Sequence, residues 1–184
     1  MKKMIVVVLV CFAASNCKAK TSIPPAMQMH RVQAGIPDQS GWITAESTYG
    51  RFSVRVPTPF NDFTVEDTDA SSLTRKTEVV GCKSTEGVKF SASKVFYKSS
   101  GTAAKQFDKL RSGGGLPAAT VVASRLNGHD SLDISFGDSS TWAIQRVVLI
   151  GEELYLLIVE CPVKQQTLAK SFVPTFFDSF KVLQ

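Results

Sequence analysis

Trp142 to Pro162 reads WAIQRVVLIGEELYLLIVECP, two apolar, β-branched runs separated by Gly151-Glu152-Glu153. Alternate residues of an extended chain face opposite ways. Trp142, Ile144, Val148 and Ile150 therefore share one face of the first run, and Ala143, Val147 and Leu149 the other. In the second run Leu154, Leu156 and Ile158 alternate with Tyr155, Leu157 and Val159. A strand that is apolar on both faces belongs to a sheet covered on both sides. The segment predicts a central hairpin, and the rest of the chain must supply two covers.

One cover follows the hairpin directly. Between Lys164 and Gln184, Leu168, Phe172, Phe176 and Phe180 recur every fourth residue, with Val173 and Phe177 alongside, which is one face of a helix. Such an aromatic stripe can line a ligand site, but the buried hairpin needs it as core. Pro174 inside the pattern predicts a kink or a fresh helix start. The second cover is Thr102 to Ser112, where Ala103, Phe107 and Leu110 share a face and Lys105, Asp108, Lys109 and Arg111 face water. Gly113-Gly114-Gly115 follows this helix and so reads as its cap. A phosphate loop must precede a helix to aim its N–H groups at an anion.

The remaining strands complete the sheet. Thr120–Leu126 and the return through Leu132, Ile134 and Phe136 flank the hairpin dipeptide Asn127-Gly128. Leu73–Cys82 pairs with Val88–Lys98 around Ser84-Thr85-Glu86-Gly87. Trp42–Ala45 is a first strand, and Phe52, Val54 and Val56 mark a half-buried one that Pro57 stops. Pro57-Thr58-Pro59-Phe60 is a rigid corner that sends Phe60 and Phe63 into the core. The expectation is a single α+β domain over 41–184.

The N-terminus addresses the chain for export. Met1-Lys2-Lys3 is a positive flank, Met4 to Ala14 an apolar core of 11 residues, and Ser15 to Ala19 a small-residue region. That core is shorter than the roughly 18 residues of a membrane span, so it reads as a signal peptide over 1–19. Cleavage after Ala19 puts Cys17 at −3. Alternatively, Ala14-Ser15-Asn16-Cys17 resembles a lipoprotein signal over 1–16, with Cys17 lipidated, although Asn16 departs from the usual small residue. Lys20 to Ser40, with three prolines and no apolar period, reads as a flexible linker in which His30 is solvated. In an oxidising compartment Cys82 and Cys161 are the disulfide candidates, closing a loop of about 80 residues worth roughly 4 kcal/mol.

The chemistry that is missing narrows the function. Of 21 basic residues, Lys2, Lys3 and Lys18 lie in the leader, leaving 18 against 16 acidic residues and a net charge of +2. That balance argues against a nucleic-acid partner. No Cys/His spacing suits a metal, and no nucleophile elbow or Walker loop occurs, so neither a catalytic set nor a cofactor is expected. The reading is an exported, non-catalytic binding or assembly module, periplasmic or extracellular. Its partner is a protein or small ligand in the envelope or outside, and it meets the membrane only through a lipid on Cys17. The alternative is a hydrolytic or stress-related enzyme with a dispersed site near His129 and Asp130, neighbours at the Asn-Gly turn.

The order of elements carries a resemblance. Gly50-Arg-Phe-Ser-Val-Arg-Val-Pro57 opens the domain; Arg146 to Pro162 and Phe176-Phe-Asp-Ser-Phe-Lys181 close it. The chain is similar in this to small bacterial exported proteins of the PsbP-like fold. The resemblance covers about Gly41 to Gln184. It implies a twisted, mainly antiparallel sheet with helices packed on its faces, used mostly as a binding or assembly module.

Overall fold

The computed structural model describes residues 26–33, 35–114 and 119–183, with the backbone path alone for 31–33. The expected leader, the lipidation candidate Cys17, Gly115 and the first residues of the expected linker lie outside the described residues. In chain order the elements are strands β1 (Ala26–Gln33), β2 (Ile43–Glu46), β3 (Phe52–Val56), β4 (Phe60–Glu66), β5 (Thr74–Lys83) and β6 (Lys89–Tyr97), then helix α1 (Thr102–Arg111). Strands β7 (Thr120–Leu126), β8 (His129–Gly137), β9 (Thr141–Ile150) and β10 (Glu153–Pro162) follow. A 3-10 turn, helix α2 (Gln166–Asp178) and a short strand β11 (Lys181–Val182) end the chain.

Eight strands form one sheet in the order β1-β4-β5-β6-β10-β9-β8-β7, every pairing antiparallel. Strands β11-β3-β2 form a second, small sheet. The β9/β10 hairpin lies in the middle of the large sheet, in register from Glu153↔Ile150 to Pro162↔Thr141. On one face Leu154, Leu156 and Val147 join Ala103, Phe107 and Leu110 of α1 in a single core. On the other, Tyr155, Leu157, Val159 and Val148 meet Phe176 and Phe177 of α2 and Phe52, Val54 and Val56 of the small sheet. Each fully buried Phe contributes about 1.5–3 kcal/mol by leaving water. The two-faced hairpin thus receives its two covers, one a helix alone, the other a helix combined with a small sheet. With two α-helices against eleven strands among the described residues, the fold is α+β but dominated by sheet.

The turns obey their residues. Asn127 (φ 51°) and Gly128 (φ 82°) take the left-handed conformations that a two-residue hairpin turn requires. Helix α1 starts at Gly101, left-handed at φ 71°, and places Lys109 and Arg111 in its last turn, where the helix dipole favours cations.

Four expectations are corrected. Residues 26–33 of the expected linker are strand β1, paired along β4 from Ala26↔Glu66 to Gln33↔Phe60. The corner at Pro57–Phe60 leads straight into strand β4, with Phe60 buried and Phe63 half-buried. Pro174 neither ends nor restarts α2, which runs unbroken through it. The proline faces solvent, so water can reach the carbonyl that its missing N–H leaves free. The helix stops at Asp178, yet Phe180 beyond it is still buried. Lastly, Cys82 and Cys161 are both free thiols. Cys82 lies opposite Phe90 on β6, and Phe90 opposite Val159 on β10, two residues before Cys161. A whole strand therefore separates them, about 10 Å at the usual strand spacing. That is beyond the roughly 7 Å across which a disulfide can form.

Candidate functional site: a polar groove beside a buried charge network

Positions on β4, β5 and β6 that point into the molecule carry polar side chains. Thr64, Glu78, Lys94 and Tyr155 stand opposite one another in a row across four strands. Glu78 is 0% exposed and its carboxylate accepts from the Thr64 hydroxyl at 2.6 Å and from Lys76 Nζ at 2.6 Å. A bulge in β1 between Met29 and Arg31 turns His30 onto this row. Its Nε2 lies 2.5 Å from Thr64 Oγ1 and 3.9 Å from Glu78 Oε2, and its ring packs edge-on against Tyr49 at 4.5 Å. The sequence reading of a solvated His30 is thereby overturned: its side chain is 8% exposed. The bulge adds the residue that makes this inward turn.

The neighbouring half of the network is anchored by Lys94. Its ammonium is 2.5 Å from Glu153 Oε1, while the buried Tyr155 hydroxyl donates to Glu153 Oε2 at 2.6 Å. Lys76 and Lys94 both lie over the Phe96 ring, at 4.8 and 5.1 Å from its centroid. Burial works to raise the Glu153 carboxyl, but Lys94, Tyr155 and the more distant Arg51 outweigh it and hold it below its ordinary range. Burial, reinforced by the Glu153 carboxylate, pushes the Tyr155 hydroxyl up. Asp62, also fully buried, accepts from the Thr48 amide at 2.8 Å and the Ser47 hydroxyl at 3.3 Å.

This cluster places a hydroxyl, an imidazole and a carboxylate in one line, but in the wrong order for nucleophilic catalysis. An activated hydroxyl gives its proton to a histidine that a carboxylate orients from behind. Here Thr64 gives its one proton to Glu78, so the His30 Nε2–H must donate to Thr64. Thr64 is itself buried. The network fastens β1 and the 47–51 turn to the sheet.

Polar groups without partners collect elsewhere. Where the end of α2 leans over the outer face of the small sheet, a groove of about 530 Å³ opens between Thr44, Ser53, Val54 and Arg55 on one side and Pro174, Thr175, Asp178 and Ser179 on the other, with Lys181 at its rim. The volume falls within the usual range of small-molecule sites, about 300–1,000 Å³. Alternation on β3 explains the arrangement: Phe52, Val54 and Val56 enter the core, so Ser53 and Arg55 turn outward. Strand β11 begins only at Lys181, opposite Ser53, so the Arg55 amide two residues on finds the Ser179 hydroxyl instead of a strand, at 2.8 Å. Arg55 also binds Asp38 and lies over Trp42, and Asp178 is held by Arg146 at 3.2 Å. The Ser53 hydroxyl opens on this groove and has no partner among the described residues. The side chains of Thr44, Thr175 and Lys181 are likewise without hydrogen bonds or ion pairs among the described residues.

The residues singled out in the sequence fall outside both features. His129 and Asp130 are exposed at the start of β8, where Asp130 lies 3.5 Å from Arg125 and 3.9 Å from Arg111. Among the described residues no hydroxyl or thiol is hydrogen-bonded to His129. Cys161 is buried, and burial pushes the Cys82 thiol up to about 11. The C-terminal aromatics are core, with Phe172 5.9 Å from Trp42 and Phe176 5.4 Å from Phe90. Among the described residues no group of three or more His, Cys, Asp or Glu is placed to hold a metal ion. The network had a signal in the sequence: Lys94 shares strand parity with Phe90 and Ala92, and Glu78 with Val80, so each is a charge at an inward position. The groove had none, because its two walls are about 120 residues apart in the chain.

No family model matches the chain, and no curated protein matches it. Among solved structures it is similar to the cyanobacterial PsbP of Synechocystis sp. PCC 6803, at 12% identity over 82% of this chain and 97% of that one, with a TM-score of 0.45. It is also similar to LpqN of Mycobacterium tuberculosis, a protein involved in cell envelope biogenesis, at 13% identity over 89% of this chain and 88% of that one, with a TM-score of 0.38. The likeness to PsbP is one of shape alone.

Proposed function

We propose that the chain is an exported, non-catalytic binding module and that the groove between β3 and the end of α2 is where it binds. The observation that carries this reading is Ser53. Its hydroxyl opens on the groove without a partner among the described residues, so it is free to meet a ligand in place of water. Ser53 and its neighbours Thr44, Thr175 and Lys181 hold unspent donors and acceptors around one concavity. The titratable groups of the buried network are, by contrast, spent on one another. Export rests on the charge, apolar core and small-residue order of residues 1–19, with lipidation of Cys17 as the second processing route.

The test is an amide-resolved NMR titration with a panel of small polar molecules: short peptides, sugars, and phosphate and carboxylate anions. Saturable shifts at Ser53, Thr175 and Lys181 that vanish in Thr175→Trp, where the indole fills the groove, support the reading. A panel that leaves these amides unmoved removes it. Turnover of an ester or glycoside substrate that is lost in His129→Ala, with the fold intact, would favour the enzyme instead.

A further inference from the structure

The two edges of the large sheet are not alike. Strand β1 forms one, and a bulge between Met29 and Arg31 breaks its ladder, a device that discourages further pairing. Strand β7 forms the other with seven residues in continuous register, and it carries no bulge, proline, lysine or acid. Its outward backbone groups follow from the Asn127-Gly128 turn. Leu126 and His129 flank that turn as cross-strand partners, so the turn's own bond, from the His129 N–H to the Leu126 C=O, makes them a bonded pair. Bonded and non-bonded pairs alternate along an antiparallel ladder. Ser124, Val122 and Thr120 therefore bond inward to β8, while Val121, Ala123 and Arg125 aim their N–H and C=O groups away from the sheet. Among the described residues no other strand or loop backbone meets those groups.

We propose that β7 is a self-association edge, on which a second copy of this chain lays its own β7 antiparallel about a two-fold axis at Ala123. The groove and its binding role play no part in this. With the axis at Ala123, that residue faces its own copy and Val121 faces Arg125 of the second copy. Every outward N–H and C=O is then bonded, whereas an axis at Val122 leaves Arg125 without a partner on the strand and an axis at Ser124 leaves Val121 without one. The side chains agree. Val122, exposed in the single chain, comes to lie against Ser124 of the second copy, and the small Ala123 lets the backbones approach. Arg125 is the one charge on β7, and its two copies end up roughly 14 Å apart, beyond the Debye length of about 8 Å. A foreign strand could use the same main-chain groups, but selecting one requires side-chain pockets beside the edge. A second copy needs only the match that β7 has with itself. The bulge on β1 stops the assembly at two copies, where an edge contact of the head-to-tail kind would continue into a filament. One strand pair covers less than the roughly 1,200 Å² of a standard interface, so the dimer is weak, with a dissociation constant between about 10 µM and 1 mM.

The experiment is sedimentation equilibrium of the protein in its natural processed form, from about 10 µM to about 1 mM. The weight-average mass is expected to rise from one chain towards two. Ala123→Pro removes the central outward N–H at a sheet edge, where proline is tolerated. Ala123→Lys sets two ammonium groups face to face across the axis. Each is expected to weaken the dimer at least about tenfold. The position is exposed, and an unchanged melting temperature shows that the fold has survived. The register has its own readout. Ala123→Cys should form a covalent dimer under mild oxidation, because bonded partners have Cα atoms about 5.5 Å apart, within the disulfide range. Arg125→Cys, roughly 14 Å from its copy, should not. A chain that is still monomeric at about 1 mM overturns the proposal. So does a dimer that forms equally well in Ala123→Pro and Ala123→Lys, because the copies then meet through another surface. Cross-linking of Arg125→Cys without cross-linking of Ala123→Cys overturns the axis, and species that grow beyond two chains overturn the closed pair.

Discussion

Thr64 has one proton to give, and giving it to Glu78 makes the buried network a fastening. Thr64→Val keeps the shape but removes the link, leaving the His30 Nε2–H without its acceptor and Glu78 with Lys76 as its remaining close partner. A buried group stripped of its partner costs about 1–3 kcal/mol, so the urea midpoint should fall accordingly, while Thr64→Ser, which keeps the hydroxyl, should lose less. A Val variant as stable as the parent would refute the proton order described. Asp38 gives the corresponding acid test at the surface. The Ser40 hydroxyl, with the Ser40 and Trp42 amides and Arg55, overcomes slight desolvation and holds its carboxyl at about 2, down from an ordinary 3.8. A depressed carboxyl contributes its stabilisation above the unfolded value and loses it as pH falls through the folded one. The loop around Asp38 should therefore keep its Ser40 and Trp42 amide shifts unchanged down to about pH 3 and lose them with a midpoint near pH 2. Loss already complete at pH 5 would show that these contacts do not hold the carboxylate.

Strand β1 is an edge element with one neighbour, β4, and its Met27 and Met29 side chains are exposed. Its hold on the body therefore depends on the β4 ladder and on His30. In His30→Ala the amides of 26–33 and their partners on β4 should exchange with solvent at least about tenfold faster, while those of β9 and β10 keep their protection, since local opening need not involve the core. Uniform loss of protection across the sheet would mean that β1 is integral to the global fold. The same strand explains what could be read from the sequence. The β9/β10 hairpin, α1 and the β7/β8 turn were legible because apolar period and turn chemistry agreed at each. Strands β1 and β4 were not, because their inward positions carry His30, Asp62 and Thr64, which erase the alternation that marks a strand. Pairing the cysteines failed for a different reason: their strand ends looked compatible, but only the order β5-β6-β10 reveals a strand between them. The groove was illegible because unsatisfied hydroxyls are defined by what surrounds them in space, and sequence gives no neighbour for Ser53.

At the scale of the whole molecule, β1 changes how far the domain can stand from a membrane. With residues 20–40 as a flexible linker, the 23 residues 18–40 would separate Cys17 from the domain at Gly41, a reach of up to about 80 Å. With β1 starting at Ala26, eight remain, and the reach falls to about 30 Å. No helix among the described residues is long and apolar enough to cross a membrane, so attachment by a helix would have to come from outside them. The proposed processing gives two products of different mass, one starting at Lys20 and one at an acylated Cys17. In the second case Cys17→Ser should move the protein from the membrane to the soluble fraction without altering its melting temperature, because the position precedes every described strand. In the first case the protein is soluble before and after the substitution. An intact Met1 on the protein recovered from cells would defeat both routes, and membrane attachment surviving in Cys17→Ser would show that something other than a lipid on Cys17 holds the domain there.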